Sequence, residues 1–280
     1  MTASPTMPIT DSSRLCVHPA TTKPWPLARA ISGYRAAGVQ GITVWRDALQ
    51  PQGVAESARW LRDSGLTVVS LCRGGFFPAR DPGERQRALD DNRRALDEAA
   101  VLGAPLVVLV CGAVPGQPLA ESRRQIAAGI QAIEPHARAL GIRLGIEPLH
   151  PMYAAERSAV NTLGQARALC DALASPQVGV VVDVYHCWWD PELEAEIALL
   201  GAAGRLFAFH LCDWRVDTRH LLTDRGLMGE GCIDLPRIRA CMQAAGFSGW
   251  NEVEIFSSER WALAQEVWLA QVVRAYHAHC

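Results

Sequence analysis

Residues 103–147 read GAPLVVLVCGAVPGQPLAESRRQIAAGIQAIEPHARALGIRLGIE. Leu106–Val110 is a short run of branched apolar residues, the composition of a strand covered on both faces. Leu119–Leu140 then spaces its apolar residues at helical intervals among Ala, Arg and Glu. Gly141 stands where a helix closes in the left-handed conformation. A second apolar run, Arg143–Glu147, ends on a carboxylate. Strand, helix and strand in this order make two parallel neighbours joined by a crossover.

The same texture extends in both directions. The spacing predicts strands over Arg14–His18, Gly41–Trp45, Thr67–Leu71, Gly179–Asp183, Leu206–Leu211 and Glu252–Ile255. It predicts helices over Trp25–Ala37, Gly53–Ser64, Pro82–Leu102, Ala159–Ala174, Pro191–Leu200, Leu235–Ala245 and Ser258–Ala278. Gly38, Gly65, Gly103, Gly201 and Gly246 take the role of Gly141 before their respective strands. Eight strands alternating with eight helices within 280 residues predict a single α/β domain, a (β/α)8 TIM barrel over residues 14–280. A doubly wound open sheet is the alternative, but its G-x-G-x-x-G turn after the first strand is absent. Residues 1–13, rich in Thr, Ser and Pro, read as a flexible tail.

Composition narrows the chemistry. Nearly half the residues are hydrophobic and the formal charge is −2, which argues against nucleic acid as the main partner. No apolar run is long enough to span a bilayer, and the N-terminal stretch lacks the basic start and apolar core of a secretion signal. The nine cysteines are scattered without a C-x-x-C pair, as expected of reduced thiols in a cytoplasmic protein. Of the 27 basic residues, only Lys23 is a lysine. Schiff-base chemistry would have to run through that one residue.

A TIM barrel builds its active site from the residues that close its strands. The fifth strand closes on Glu147, the sixth on Asp183, the seventh on His210, and the eighth presents Glu254. Side-chain alternation sends Leu144 and Ile146 toward the helices and Gly145 and Glu147 toward the axis. It likewise turns Phe207 and Phe209 outward and Ala208 and His210 inward, Val253 and Ile255 outward and Glu252 and Glu254 inward. Three neighbouring carboxylates repel one another unless a cation sits among them. Three carboxylates and an imidazole suit one divalent metal ion, Mn²⁺, Mg²⁺ or Co²⁺ foremost, with Zn²⁺ or Fe²⁺ also compatible.

Gly-Ile-Glu-Pro-Leu (145–149), Val-Asp-Val-Tyr-His (182–186), Phe-His-Leu-Cys-Asp (209–213), Gly-Glu-Gly-Cys-Ile-Asp (229–234) and Val-Glu-Ile (253–255) resemble the sugar phosphate isomerase/epimerase group. That group belongs to the xylose-isomerase-like TIM barrels of the AP endonuclease 2 superfamily. The resemblance implies Glu147, Asp183, His210 and Glu254 as metal ligands, with Glu147 and Glu254 also the catalytic acid and base. It implies His186 as a partner of a substrate hydroxyl or carbonyl, and a homodimer as the family's usual assembly. The implied reaction is a sugar isomerisation or epimerisation through an enediolate, on a ketose or related polyol-derived carbonyl substrate. The partner is therefore a small carbohydrate, with neither nucleic acid nor membrane involved. No lysine is needed.

Other residues at strand ends are candidates for substrate contact. Arg215 lies one position short of a substrate-binding arginine of related epimerases. His150 and Glu156 lie on the long loop after the fifth strand, Trp45 ends the second strand and Arg73 the third. Glu252, one layer below Glu254, and Asp213 are candidate orienting groups for the ligands. Glu252 has Arg14 as its competing partner. Two other readings of the scaffold stand beside the isomerase: a lyase of the inosose-dehydratase type and a non-catalytic metal-binding subunit. A three-zinc DNA-repair endonuclease is disfavoured by the absence of histidine between His18 and His136, by Asp213-Trp-Arg where it expects Asp-x-His, and by the lack of a basic surface.

Overall fold

A computed structural model describes residues 9 and 11–280; most of the expected tail therefore lies outside the described residues. Eight parallel strands close into a barrel in the order β1-β10-β7-β6-β5-β4-β3-β2. They are β1 (Leu15–Val17), β2 (Gly41–Trp45), β3 (Thr67–Gly75), β4 (Leu106–Val110), β5 (Arg143–Glu147), β6 (Val178–Asp183), β7 (Leu206–Leu211) and β10 (Asn251–Val253). Between β7 and β10 a two-residue antiparallel ribbon pairs β8 (Asp213–Trp214) with β9 (Arg225–Gly226). The outer ring comprises α1 (Leu27–Ala36), α2 (Val54–Ser64), α3 (Pro82–Leu102), α4 (Leu119–Ala139), α5 (Leu163–Leu173), α7 (Leu193–Ala202), α8 (Leu235–Ala244) and α10 (Gln265–His279). Two single-turn helices, α6 (Val184–Cys187) and α9 (Ser258–Trp261), complete the elements used below.

Two apolar layers hold this architecture. Leu144, Ile146, Phe209, Val253 and Ile255 belong to the large cluster between strands and helices, together with Leu96, Ile126, Ile130 and Trp268. Cys72, Leu106, Val108, Val181, Phe207 and Ala208 fill the barrel interior. Phe207 departs from the expected alternation. Val180 pairs with Leu206 and Val181 with Ala208, so Phe207 is an extra residue in a bulge, and a bulge re-aims its side chain. The ring plugs the lower barrel at a point where Gly179 leaves room for it: a Cβ on Gly179 would stand 2.5 Å from that ring.

Local chemistry explains the shifted helix ends. α5 starts at Leu163 because Thr162 accepts from the Gln165 N–H and Gln165 accepts from the Asn161 N–H, much as in a capping box. Gly201 lies inside α7; the left-handed residue before β7 is Gly204. A side chain at 201 would strike the Ala245 carbonyl at 2.2 Å, so this glycine serves the close packing of α7 on α8. The final helix divides into α9 and α10. The Gln265 amide donates to the carbonyls of Arg260, Trp261 and Leu263, which satisfies groups that a continuous helix would have paired.

Candidate metal centre and active site

Strand register sets the site. Asp183 pairs with His210, and His210 with Glu252, across adjacent strands. Glu147 ends β5 opposite Val110. The Glu254 N–H donates to the Leu211 carbonyl, carrying the pairing one residue past β10. The four expected residues Glu147, Asp183, His210 and Glu254 thus meet at the C-terminal mouth, all buried, with one donor atom of each within 4.8 Å of the others.

The donors converge without satisfying one another. His210 Nδ1 lies 3.1 Å from Glu147 Oε1, yet neither atom has a hydrogen bond, and His210 Nε2 also lacks one. Orphaned buried atoms of this kind are costly unless something sits between them. Burial works against a charged His210, but Glu252, Glu147 and Glu254 outweigh it and push its pKa up to about 10. Burial raises Asp183 to about 7 against the pull of Arg225. Both shifts draw protons into the cluster, and the same oxygen and nitrogen donors, once deprotonated, fit a divalent cation.

Two residues that the strand-end reading did not weigh complete the centre. His18, fully buried, closes β1 and stands between two glutamates, Nε2 3.3 Å from Glu252 and Nδ1 3.2 Å from Glu254. Arg225, on β9, brings Nη1 to 3.1 Å from Asp183 Oδ2 and 2.7 Å from Glu254 Oε2. Its Nη2 lies 3.3 Å from His186 Nε2, and its guanidinium sits over Tyr185 and Phe256. Although burial opposes it, Arg225 together with His18 holds the Glu254 carboxyl well below the usual range. His18 was legible by the rule that found the other four. Arg225, in Thr-Asp-Arg-Gly just before the Gly-Glu-Gly motif, had no periodic signal.

The remaining candidates separate clearly. A cavity of about 200 Å³ opens over the centre, and Trp45, Arg73 and His186 line it, along with Glu147, Glu254 and Arg225. The loop after β5 contributes Tyr153 and Arg157 to that lining. His150 instead packs its ring against Trp189 and Trp214, and its backbone N–H donates to His186 Nδ1. Glu156 is exposed and outside the lining. Arg215 also lies outside it, in an ion-pair group with Asp224 and Glu259 that Arg219 shares. Asp213 staples the connecting loop, accepting from the N–H groups of Trp214, Gly229, Gly231 and Ile233. Glu252 accepts from Thr43 at 2.6 Å and contacts His18, with His210 Nε2 at 3.6 Å; it joins the two histidines from below.

A family model described as a xylose isomerase-like TIM barrel matches residues 32–274. The inosose isomerase of Halalkalibacterium halodurans is 26% identical over 241 residues, covering 84% of this chain and 83% of that protein. Protein SMc04130 of Sinorhizobium meliloti 1021 superposes with a TM-score of 0.94 at 48% identity, over 96% of this chain and 99% of that one. The IOLI protein, solved with a binding zinc atom, superposes with a TM-score of 0.82 at 22% identity, over 94% and 96% of the two chains. At that identity the likeness speaks for the fold.

Proposed function

The chain belongs to the xylose isomerase-like TIM barrel family, and on that premise we propose that it is a divalent-metal-dependent isomerase or epimerase of a polyhydroxylated ketone. The substrate class is a ketose or a cyclic polyol ketone of the inosose kind. One observation carries this reading: of the four clustered donors, Glu147 and Glu254 are the two that also line the open cavity. Two carboxylates that face the substrate are what removing and returning a proton beside a carbonyl requires.

Glu147, Asp183, His210 and Glu254 would hold the metal, and a divalent ion there would polarise the substrate carbonyl and acidify the neighbouring C–H. The harder, oxygen-rich set favours Mn²⁺, Mg²⁺ or Co²⁺, with Zn²⁺ and Fe²⁺ also compatible. Glu147 and Glu254 stand on different strands. One, as the carboxylate, takes the proton from the carbon, leaving the substrate as an enediolate, and the other, as the carboxylic acid, gives its own proton to the opposite side, which inverts the centre. One glutamate acting at two adjacent carbons gives isomerisation instead.

The other residues bind and orient. His186 Nδ1 accepts from the His150 N–H, and its Nε2 faces Arg225 Nη2 at 3.3 Å. Burial and then Arg225 hold the His186 pKa well below its ordinary value, so a neutral His186 ring lines the cavity as a partner for a substrate oxygen. Arg225 fixes the Glu254 carboxylate through a charge-assisted bond.

The test is incubation of the metal-loaded protein with ketoses and inososes in D₂O. Metal-dependent deuterium incorporation next to the carbonyl, with no change in mass beyond the label, is the expected result. Loss of one water from the product would transfer the chain to the lyases. No incorporation into any member of the panel would overturn the proposal.

A further inference from the structure

A second cavity, of about 280 Å³, lies beside the first, and Trp45 and Phe256 line both. These two half-buried rings meet edge to face, with centroids 5.4 Å apart and planes at 72°. Trp45 is held in place by its indole N–H, which donates to His18 Nδ1 at 3.3 Å. On the far side, Trp25, Lys23, Asp47 and Gln52 complete the wall. The second cavity comes close to the roughly 300 Å³ at which ordinary ligand pockets begin.

We propose that this second cavity is a subsite for a neutral sugar ring attached to the reacting ketose or polyol ketone, so that the preferred substrate is a glycosylated one. The inference rests on the isomerase reading above and narrows its substrate class. Indole and phenyl rings offer the apolar faces that the C–H side of a pyranose covers, and a few polar groups at the edge suit its hydroxyls. A phosphate fits poorly. The ammonium of Lys23 sits 4.7 Å over the Trp261 ring, and the carboxylate of Asp47 is the other charge in the lining. That balance gives no net attraction for an anion, unlike the several convergent donors of an anion site.

The experiment compares D-fructose with maltulose and isomaltulose, which carry a glucosyl group at O4 and O6 of the same ketose. Equilibrium binding to the metal-loaded protein is read by tryptophan fluorescence, and exchange with D₂O is read in parallel. The expected result is binding of at least one glucosyl ketose about tenfold tighter than fructose, the effect of one good stacking contact. Ala48→Phe, which adds bulk at a half-buried residue of the second cavity, removes that advantage while leaving fructose binding unchanged. Lys23→Ala, at an exposed position, reduces the advantage in part and guards against misfolding of the first variant. Equal binding of fructose and both glucosyl ketoses overturns the subsite, as does an advantage that survives Ala48→Phe in a folded protein. Absence of exchange with all three sugars would count against the isomerase reading alone, because the binding comparison still decides the subsite.

Discussion

The mouth of the barrel has two unlike halves. β5, β6, β7 and β10 bring Glu147, Asp183, His210 and Glu254 to a single point, whereas β2, β3 and β4 bring Trp45, Arg73 and Val110 to the same cavity. One half concentrates carboxylates and an imidazole, and the other offers aromatic and apolar surface with a single guanidinium, Arg73. Each charged donor sits in a position set by strand pairing, which leaves little freedom. The opposite wall depends on side-chain size and on loops, and it can change without disturbing the acid cluster. On the proposed function, chemistry and substrate preference occupy separate arcs of one rim, with His18 and Arg225 joining them.

The sharpest way to break this division is Glu147→Gln or Glu254→Gln. Each keeps the shape of the side chain but removes a proton acceptor, and deuterium exchange should fall about 10²–10⁴-fold, while circular dichroism shows the fold retained. If exchange survived in both variants, the acidic arc would have lost its assigned role. Arg225→Ala should come next. It leaves Asp183 and Glu254 without their buried counter-charge, a change that costs about 3–5 kcal/mol, measurable by denaturant unfolding of the metal-free protein. Arg225→Lys should recover this only in part, since an ammonium cannot reproduce the two-nitrogen reach to the carboxylates and His186.

Chelation tests the acidic arc as a whole. A metal held at a hundred times its dissociation constant stabilises the folded state by about 2.7 kcal/mol. Removing it should lower the melting temperature by several degrees, and the shift should vanish in His210→Ala. On the opposite arc, Trp45→Phe retains an aromatic face but loses the bond to His18; KM should rise a few-fold with kcat little changed, which sharpens the separation of binding from chemistry. The smallest effect concerns the loop that carries Arg225. Arg219 and then Arg215 hold the exposed Glu259 carboxyl down to about 2. A depressed carboxyl contributes above its ordinary pKa and loses that contribution as pH falls through the folded value. The melting-temperature difference between wild type and Glu259→Gln should therefore close as pH drops from about 5 toward about 2.

The reach of sequence reasoning follows the same division. Glu147, Asp183 and His210 end runs of apolar residues and Glu254 lies within one, and alternation assigns the direction of Glu147, His210 and Glu254. Phe207 defied that rule because a bulge belongs to a pair of strands, and nothing in Leu-Phe-Ala-Phe-His announces one. Arg215 is a candidate only through its place one position short of a substrate-binding arginine of related epimerases, and nothing in the sequence pattern singles out Arg225. The β8–β9 ribbon, tied by Asp213, folds the intervening residues back and delivers the later arginine instead. On the loop after β5, His150 and Glu156 looked the stronger chemical candidates, yet Tyr153 and Arg157 are the side chains that line the cavity.

By itself, the sequence determined the eight-fold alternation, the parallel sheet that alternation requires, and four donors on successive strands with a common inward register. These are local properties, written in periods of two and of 3.6 residues that each segment carries alone. Only the tertiary structure decided that His18 stands between two glutamates, that Arg225 spans Asp183, Glu254 and His186, and that Trp45 and Phe256 share two cavities. Those placements depend on barrel closure and loop return, which bring together residues as far apart as His18 and Glu254, and no periodic pattern encodes distances of that kind.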